Sequence, residues 1–443
     1  MKILTTHVGS LPGPADFDPS TTTEQDLTRA VEWIVARQRE TGIDIINEGE
    51  LTKGGDWLAF MDERLGGFEE RPAPAAGSVI AQGKDREEFA DFYKYAAERQ
   101  TLFFTADKRM RTVRRYLACT APITYTGAAA LERELATFRA AVGDTRNCFL
   151  TSTAPASLEP YRGNEYYATE EEFVSALAEA LRVEYEAIVG AGFLLQIDDA
   201  WLVALWDRIG IGMGLEAFKQ RSRIRVEALN YALRNIPEER VRYHLCWGSW
   251  HGPHAHDLPL SDIVDVLLRV HARFYSFEAA NVRHEHEYHV WERVQLPDAK
   301  VLLPGVVSHS TDLVEHPDLV AERIRRLCGS PVRNGSSPAP TAGLAVARTR
   351  RSPGRSSHRC AQAPGWRAAK QVAKVRTSPF WTALWPLAGV FESMSGISSS
   401  VPNSECCSRV SSCAAVRDAL IGDDRKTHRR RTTRVCRCKC PGR

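Results

Sequence analysis

No apolar run in the 443 residues reaches the roughly 20 that a bilayer crossing needs, and no leader pattern opens the chain. On that reading a membrane-bound or exported protein is excluded, and a cytoplasmic one is expected. Cysteine is scarce over most of the length: Cys119, Cys148, Cys246 and Cys328 stand scattered before residue 329, so a disulfide-stapled scaffold is excluded and a reduced compartment fits. No single glycine-rich phosphate loop is present, which argues against an open dinucleotide-binding sheet. No basic patch interleaved with aromatics occurs in residues 1–328, so nucleic acid is not an expected partner.

The formal charge of +3 hides two unlike parts. Residues 329–443 carry 21 Lys+Arg against 5 Asp+Glu, which leaves 37 basic and 50 acidic residues before them. The other seven cysteines lie in this basic stretch, which is rich in Arg, Ser, Pro and Ala and shows neither helical nor strand period. Two regions are therefore expected: a folded body over 1–328 and a low-order tail over 329–443.

Within the body, short apolar runs alternate with segments of helical period. Strands are expected at 3–12, 43–50, 122–127, 148–155, 193–199, 241–246, 274–281 and 301–309. Helices are expected at 23–39, 128–141, 170–191, 215–235, 260–272 and 316–327, with residues 51–115 as loops and short helices over one face. Strand-helix alternation of this kind implies a parallel sheet. Polar or ionisable residues close strand after strand: Ser10, Glu50, Asp198, Asp199, Cys246, Glu278 and His309. A (β/α)8 barrel keeps its active site at that end, so a barrel is the expected architecture, with an open doubly wound sheet as the alternative.

Residues 241–254, VRYHLCWGSWHGPH, hold the most chemistry in the least space. On a strand, His244 and Cys246 project from one face about 6–7 Å apart, a spacing suited to a shared metal. A cysteine in a strand is also ordinarily a small buried hydrophobe, and a nearby histidine a hydrogen-bonded core residue. The pair alone leaves both readings open. Glu278 follows one strand-helix-strand unit later and converges on the same end of the sheet. His251, His254, His256, His284, His286 and His289 read as solvated or as supporting hydrogen bonders.

Taken together, TTHVGSLP, GIDIINEGE, RLGGFE, PITYTG, FLTSTAP, LLQIDD, HLCW, the Phe-Glu of YSFEAAN, and PGVVSH resemble the cobalamin-independent methionine synthase family. The likeness is to its carboxyl-terminal, zinc-bearing barrel, and it covers residues 1 to about 327. HGPHAHDLPL and SFEAANVRHEHEYHVWE look more like its stand-alone, single-barrel members. The resemblance implies transfer of a methyl group from a folate-like donor to the thiol of homocysteine. It implies zinc as cofactor, with His244, Cys246 and Glu278 as three of four ligands. It further implies Gly9 and Ser10 at the substrate carboxylate, Glu50 and Asp198 at its amino group, and His309 as the acid that assists the departing folate. A zinc alkyltransferase of the epoxide and coenzyme M type, or one with a methyl-corrinoid donor, shares the same thiol chemistry. A non-enzymatic binding protein with a basic tail is a third reading.

The family's fourth ligand, a cysteine in an Asp-Cys-Gly segment on the last strand, is missing after Leu327. Codons that encode VRNGSSPAPTAGL can, in a shifted frame, spell Ala-Glu-Arg-Val-Ile-Ala-Gly-Thr-Asp-Cys-Gly. The tail is therefore expected to be an out-of-frame ending, and the barrel to lack its last strand and helix.

Overall fold

The computed structural model describes residues 3–19, 22–54, 57–72, 79–99, 101, 115–308, 313–329 and 345–348. All of them lie in one compact unit, Met1–Leu387.

The first helix, Glu24–Thr41, follows its sequence signals closely. The Thr23 hydroxyl accepts the Asp26 amide, Asp26 reaches back to the Thr23 backbone, and Gly42 ends the helix at φ 84°. Its buried stripe is Ala30, Val31, Ile34, Val35 and Gln38. Thr23→Ala removes one cap and is expected to cost about 1 kcal/mol, read as a lower urea midpoint at unchanged slope.

The strands are β1 (Ile3–Thr6), β2 (Leu65–Glu70), β3 (Leu117–Tyr125), β4 (Phe149–Thr153), β5 (Arg162–Asn164), β6 (Leu194–Asp199), β7 (Val241–Leu245), β8 (Phe274–Glu278), β9 (Val301–Gly305) and β10 (Ala345–Arg348). A five-stranded sheet runs in the order β4-β6-β7-β8-β9, every pair parallel. Parallel neighbours need long crossovers, and the helices Glu170–Gly190, Leu215–Ala232 and Leu260–Leu267 provide them. All residues of β4, β7 and β9 are buried, as a sheet covered on both faces requires. The protein is thus a mixed α/β fold built on a parallel sheet.

Three local expectations change. Residues 43–50 form no continuous strand; they make isolated parallel bridges, Thr6 with Ile45 and Ile46 with Cys148, that lead from β1 towards β4. The chain leaves extended geometry there because Gly49 (φ 74°) and Glu50 (φ 58°) both adopt left-handed backbone. RLGGFE, placed among loops and short helices, is strand β2 of an accessory sheet β2-β3-β5. Its alternation is masked by Gly67, where the register shifts and a Cβ would stand 2.6 Å from the Pro122 carbonyl oxygen. The tail, read as having no strand period, contributes β10, which pairs antiparallel with β1.

Candidate active site

The carboxyl ends of β6, β7 and β8 place the site. Asp198, His244 and Ser276 stand opposite one another across three adjacent strands. Alternation sends Cys246 and Glu278, each two residues further on, to the same face. All are buried: His244 and Cys246 at 8 % exposure, Asp198 at 6 % and Glu278 at 1 %. Asp199, one residue out of phase, points elsewhere and is held by the Ser157 hydroxyl (2.9 Å) and the Tyr243 hydroxyl (2.8 Å), a structural arrangement.

Two carboxylates form the floor of one half. The hydroxyls of Ser10 and Thr151 donate to the two oxygens of Glu50, the latter at 3.0 Å. Gly9 packs against the same carboxylate, its Cβ position 3.6 Å from Glu50 Oε1. Glu50 is buried while Ser10 is exposed, so the pair spans the entrance. A non-glycine residue at φ 58° costs of order 1 kcal/mol, and such strain gathers at functional positions. Burial, then the charge of Glu50, holds the Asp198 carboxyl well above the usual carboxylate range. Gln196 Nε2 donates to Asp198 Oδ1 at 2.8 Å and to the Val8 carbonyl at 2.6 Å, fixing its position. Two buried carboxylates that repel one another are relieved by a cation, and a substrate ammonium is one.

The other half holds nitrogen, sulfur and oxygen donors. His244 Nδ1 lies 3.1 Å from the Ser276 hydroxyl, and the Gly248 amide donates to Cys246 Sγ at 3.1 Å. Burial, then the nearby charge of Glu278, pushes the Cys246 thiol up to about 12. A neutral thiol beside a carboxylate is a natural resting state for a pair whose charges only a cation would reconcile. Imidazole, thiolate and carboxylate are the donor types of zinc sites, so the residues fit that metal chemically. Among the described residues, however, no three His, Cys, Asp or Glu side chains stand together as a formed metal group. His309 lies outside the described residues.

The chain has detectable relatives. A methionine synthase from Sulfolobus acidocaldarius is 22% identical over 307 residues, covering 69% of this chain and 71% of that one. One from Saccharolobus solfataricus is 26% identical over 194 residues, covering 43% of this chain and half of the relative. No protein-family model matches. A B12-independent methionine synthase from Shewanella sp. W3-18-1, solved in complex with selenomethionine, shares the fold with a TM-score of 0.56 at 15% identity, covering 86% of this chain and all of that one. At modest identity the chain is thus similar to proteins named methionine synthase. Among the described residues no helix is long and apolar enough to cross a membrane.

Sequence reading missed a further group. His254 and His284 both reach Asp257 Oδ2, at 3.0 and 3.1 Å, and His284 Nδ1 lies 2.8 Å from Glu287 Oε2. Read as supporting histidines in general, they form one specific buried cluster. The available signal was a histidine with a carboxylate three residues on, repeated in both loops: His254 with Asp257, and His284 with Glu287. Both ring nitrogens of His284 face carboxylate oxygens, so both must donate and the ring is a cation. Burial opposes that charge, but the hydrogen bonds to Asp257 and Glu287 outweigh it and push His284 up to about 9. The stability it contributes is fully present below the unfolded pKa of about 6.5 and is lost as pH rises through about 9. Urea midpoints measured from pH 6 to 10 are expected to fall across that window, and the fall to shrink in His284→Gln.

Proposed function

We propose that this protein is a zinc-dependent methyltransferase that transfers a methyl group from a folate-like donor to the thiol of homocysteine, giving methionine. The observation that carries the reading is the alignment, on one face and at one end of three parallel strands, of an acidic pocket with an imidazole, thiol and carboxylate set. His244, Cys246 and Glu278 would hold the metal, and zinc when bound supplies a substrate thiolate at neutral pH.

The chain's own residues orient the substrate. Glu50 and Asp198 take the ammonium, and Gly9 and Ser10 at the exposed entrance take the carboxylate. The Thr151 hydroxyl holds Glu50 in place, and Gln196 holds Asp198. A tertiary amine leaves poorly unless protonated, and His309 is the proposed acid. The same pocket separates homocysteine from coenzyme M. Coenzyme M carries a sulfonate and no ammonium, and two buried carboxylates would repel it.

Residues 1–328 are the catalytic unit, a (β/α)8 barrel that lacks its last strand and helix and with them the fourth zinc ligand, in the cytoplasm. Residues 329–443 are an out-of-frame ending. A last barrel strand would run parallel to β1, whereas β10 runs antiparallel, which supports this reading. The nucleotide sequence around codon 327 tests it: one inserted or deleted base is expected, and coding constraint in the present frame would contradict it. Isothermal titration of the zinc-loaded protein tests the function. Homocysteine is expected to give zinc-dependent heat and coenzyme M none, and the reverse would transfer the assignment to an alkyltransferase of the coenzyme M type.

A further inference from the structure

The hydrogen-bonded ladder between β7 and β8 stops short of the donors it has to align. Its last pair is His244 with Ser276, two residues before Cys246 and Glu278, although β8 stays paired to β9 as far as Glu278 opposite Gly305. Beyond that point adjacent strands are free to splay by twist. Each is anchored on its outer side, Leu245 to Asp199 of β6 and Glu278 to Gly305 of β9, so beyond His244 and Ser276 the direct tie between the two chain segments comes from the loops that leave them.

Those loops are tied around His284, and Arg283 also donates to the Ala255 carbonyl at 3.2 Å. The loop after Cys246 folds on Trp247, whose indole N–H donates to the Leu258 carbonyl at 2.7 Å and whose ring stacks on His284 at 4.1 Å. Asp257 in this loop accepts from His254 of its own loop and from His284 of the loop after Glu278. Glu287 closes the arrangement, with one oxygen at His284 Nδ1 (2.8 Å) and the other accepting the Leu260 amide (2.7 Å). The second nitrogen of His254 faces the Trp250 carbonyl at 3.1 Å, so this ring too has only acceptors and carries two protons. Two imidazolium cations against two carboxylates make a buried cluster whose charges cancel, an arrangement that is costly to open by removing one member.

We propose that Asp257 is a positioning residue for the metal ligands: by bridging His254 and His284 it ties the loop leaving Cys246 to the loop leaving Glu278 and fixes the separation of thiol and carboxylate. This rests on the zinc reading above. The side-chain partners of Asp257 are His254 and His284 and none of the three metal ligands, so it acts through the two loops.

The test is zinc affinity of the full chain, measured by competition with a chromophoric chelator, together with the visible bands of the cobalt(II)-loaded protein. Asp257→Asn keeps the side-chain size and is expected to weaken zinc binding 10–100-fold, in the range of lost outer-shell partners, and to alter the cobalt bands. Far-UV circular dichroism should stay unchanged. Should Asp257→Asn fail to fold, His254→Gln, which removes one arm, carries the same expectation. Wild-type zinc affinity with unaltered cobalt bands in the variant would overturn the positioning role while leaving the zinc reading standing. If the wild-type chain instead holds no zinc that Cys246→Ser removes, the zinc reading falls and the positioning role with it.

Discussion

Cys246→Ser is expected to strip the protein of the zinc retained through dialysis and to lower methyl transfer to homocysteine by more than about 100-fold. Loss of an outer-shell partner alone costs 10–100-fold, and removing the sulfur donor should exceed that. The position of the Cys246 thiol sets that loss. It is buried, it faces Glu278, and without a cation its pKa is pushed up to about 12, so it is neutral at pH 7. A thiol so placed is inert by itself and becomes a ligand only with a metal to accept it. The hydroxyl of serine cannot replace it, because alcohols ionise far less readily. Metal content by plasma emission and methionine formation at saturating homocysteine are the measurements. A variant that keeps both would show that the sulfur is only a packed core atom.

Arg64→Met should lower folding stability by about 3–5 kcal/mol, the usual cost of leaving one half of a buried ion pair. Arg64 is 4 % exposed and donates to Glu134 at 2.6 Å and to Glu184 at 2.9 Å. Glu184 would keep only the neutral hydroxyls of Tyr125 (2.7 Å) and Ser152 (2.8 Å). Glu134 would keep Lys53 at 2.9 Å. Lys53 also donates to Thr151 Oγ1 at 3.1 Å, and that hydroxyl donates to Glu50 at 3.0 Å, so the network reaches the acidic pocket. The variant is therefore expected to raise KM for homocysteine as well as to lower the urea midpoint. A stability change within about 0.5 kcal/mol, as for an ordinary surface site, would show that the network is solvated.

The alternation of strands and helices was legible where a strand opens on an apolar run and a helix carries one clean stripe, as in LLQIDD and in Glu170–Gly190. The polar residues at the strand ends were legible for the same reason, since a buried carboxylate in an apolar run is expensive and stands out. Strand β2 was hidden by its glycines. The strand expected over 43–50 was broken by Gly49 and Glu50, whose left-handed backbone turns the carboxylate to meet Ser10 and Thr151. Period carries no mark of such a turn. The link between His254, Asp257 and His284 escaped because it joins residues 27 and 30 positions apart through two irregular loops, where neither helical nor strand spacing applies. Only the repeated histidine with an acid three residues on, read in both loops together, pointed to it.

The central claim is that a metal held by His244, Cys246 and Glu278 receives the substrate sulfur. X-ray absorption at the zinc edge of the loaded protein, recorded without and with homocysteine, tests it most directly. One sulfur neighbour at about 2.3 Å is expected in the absence of homocysteine and two in its presence. A spectrum unchanged by homocysteine, or one without sulfur in either state, would contradict it.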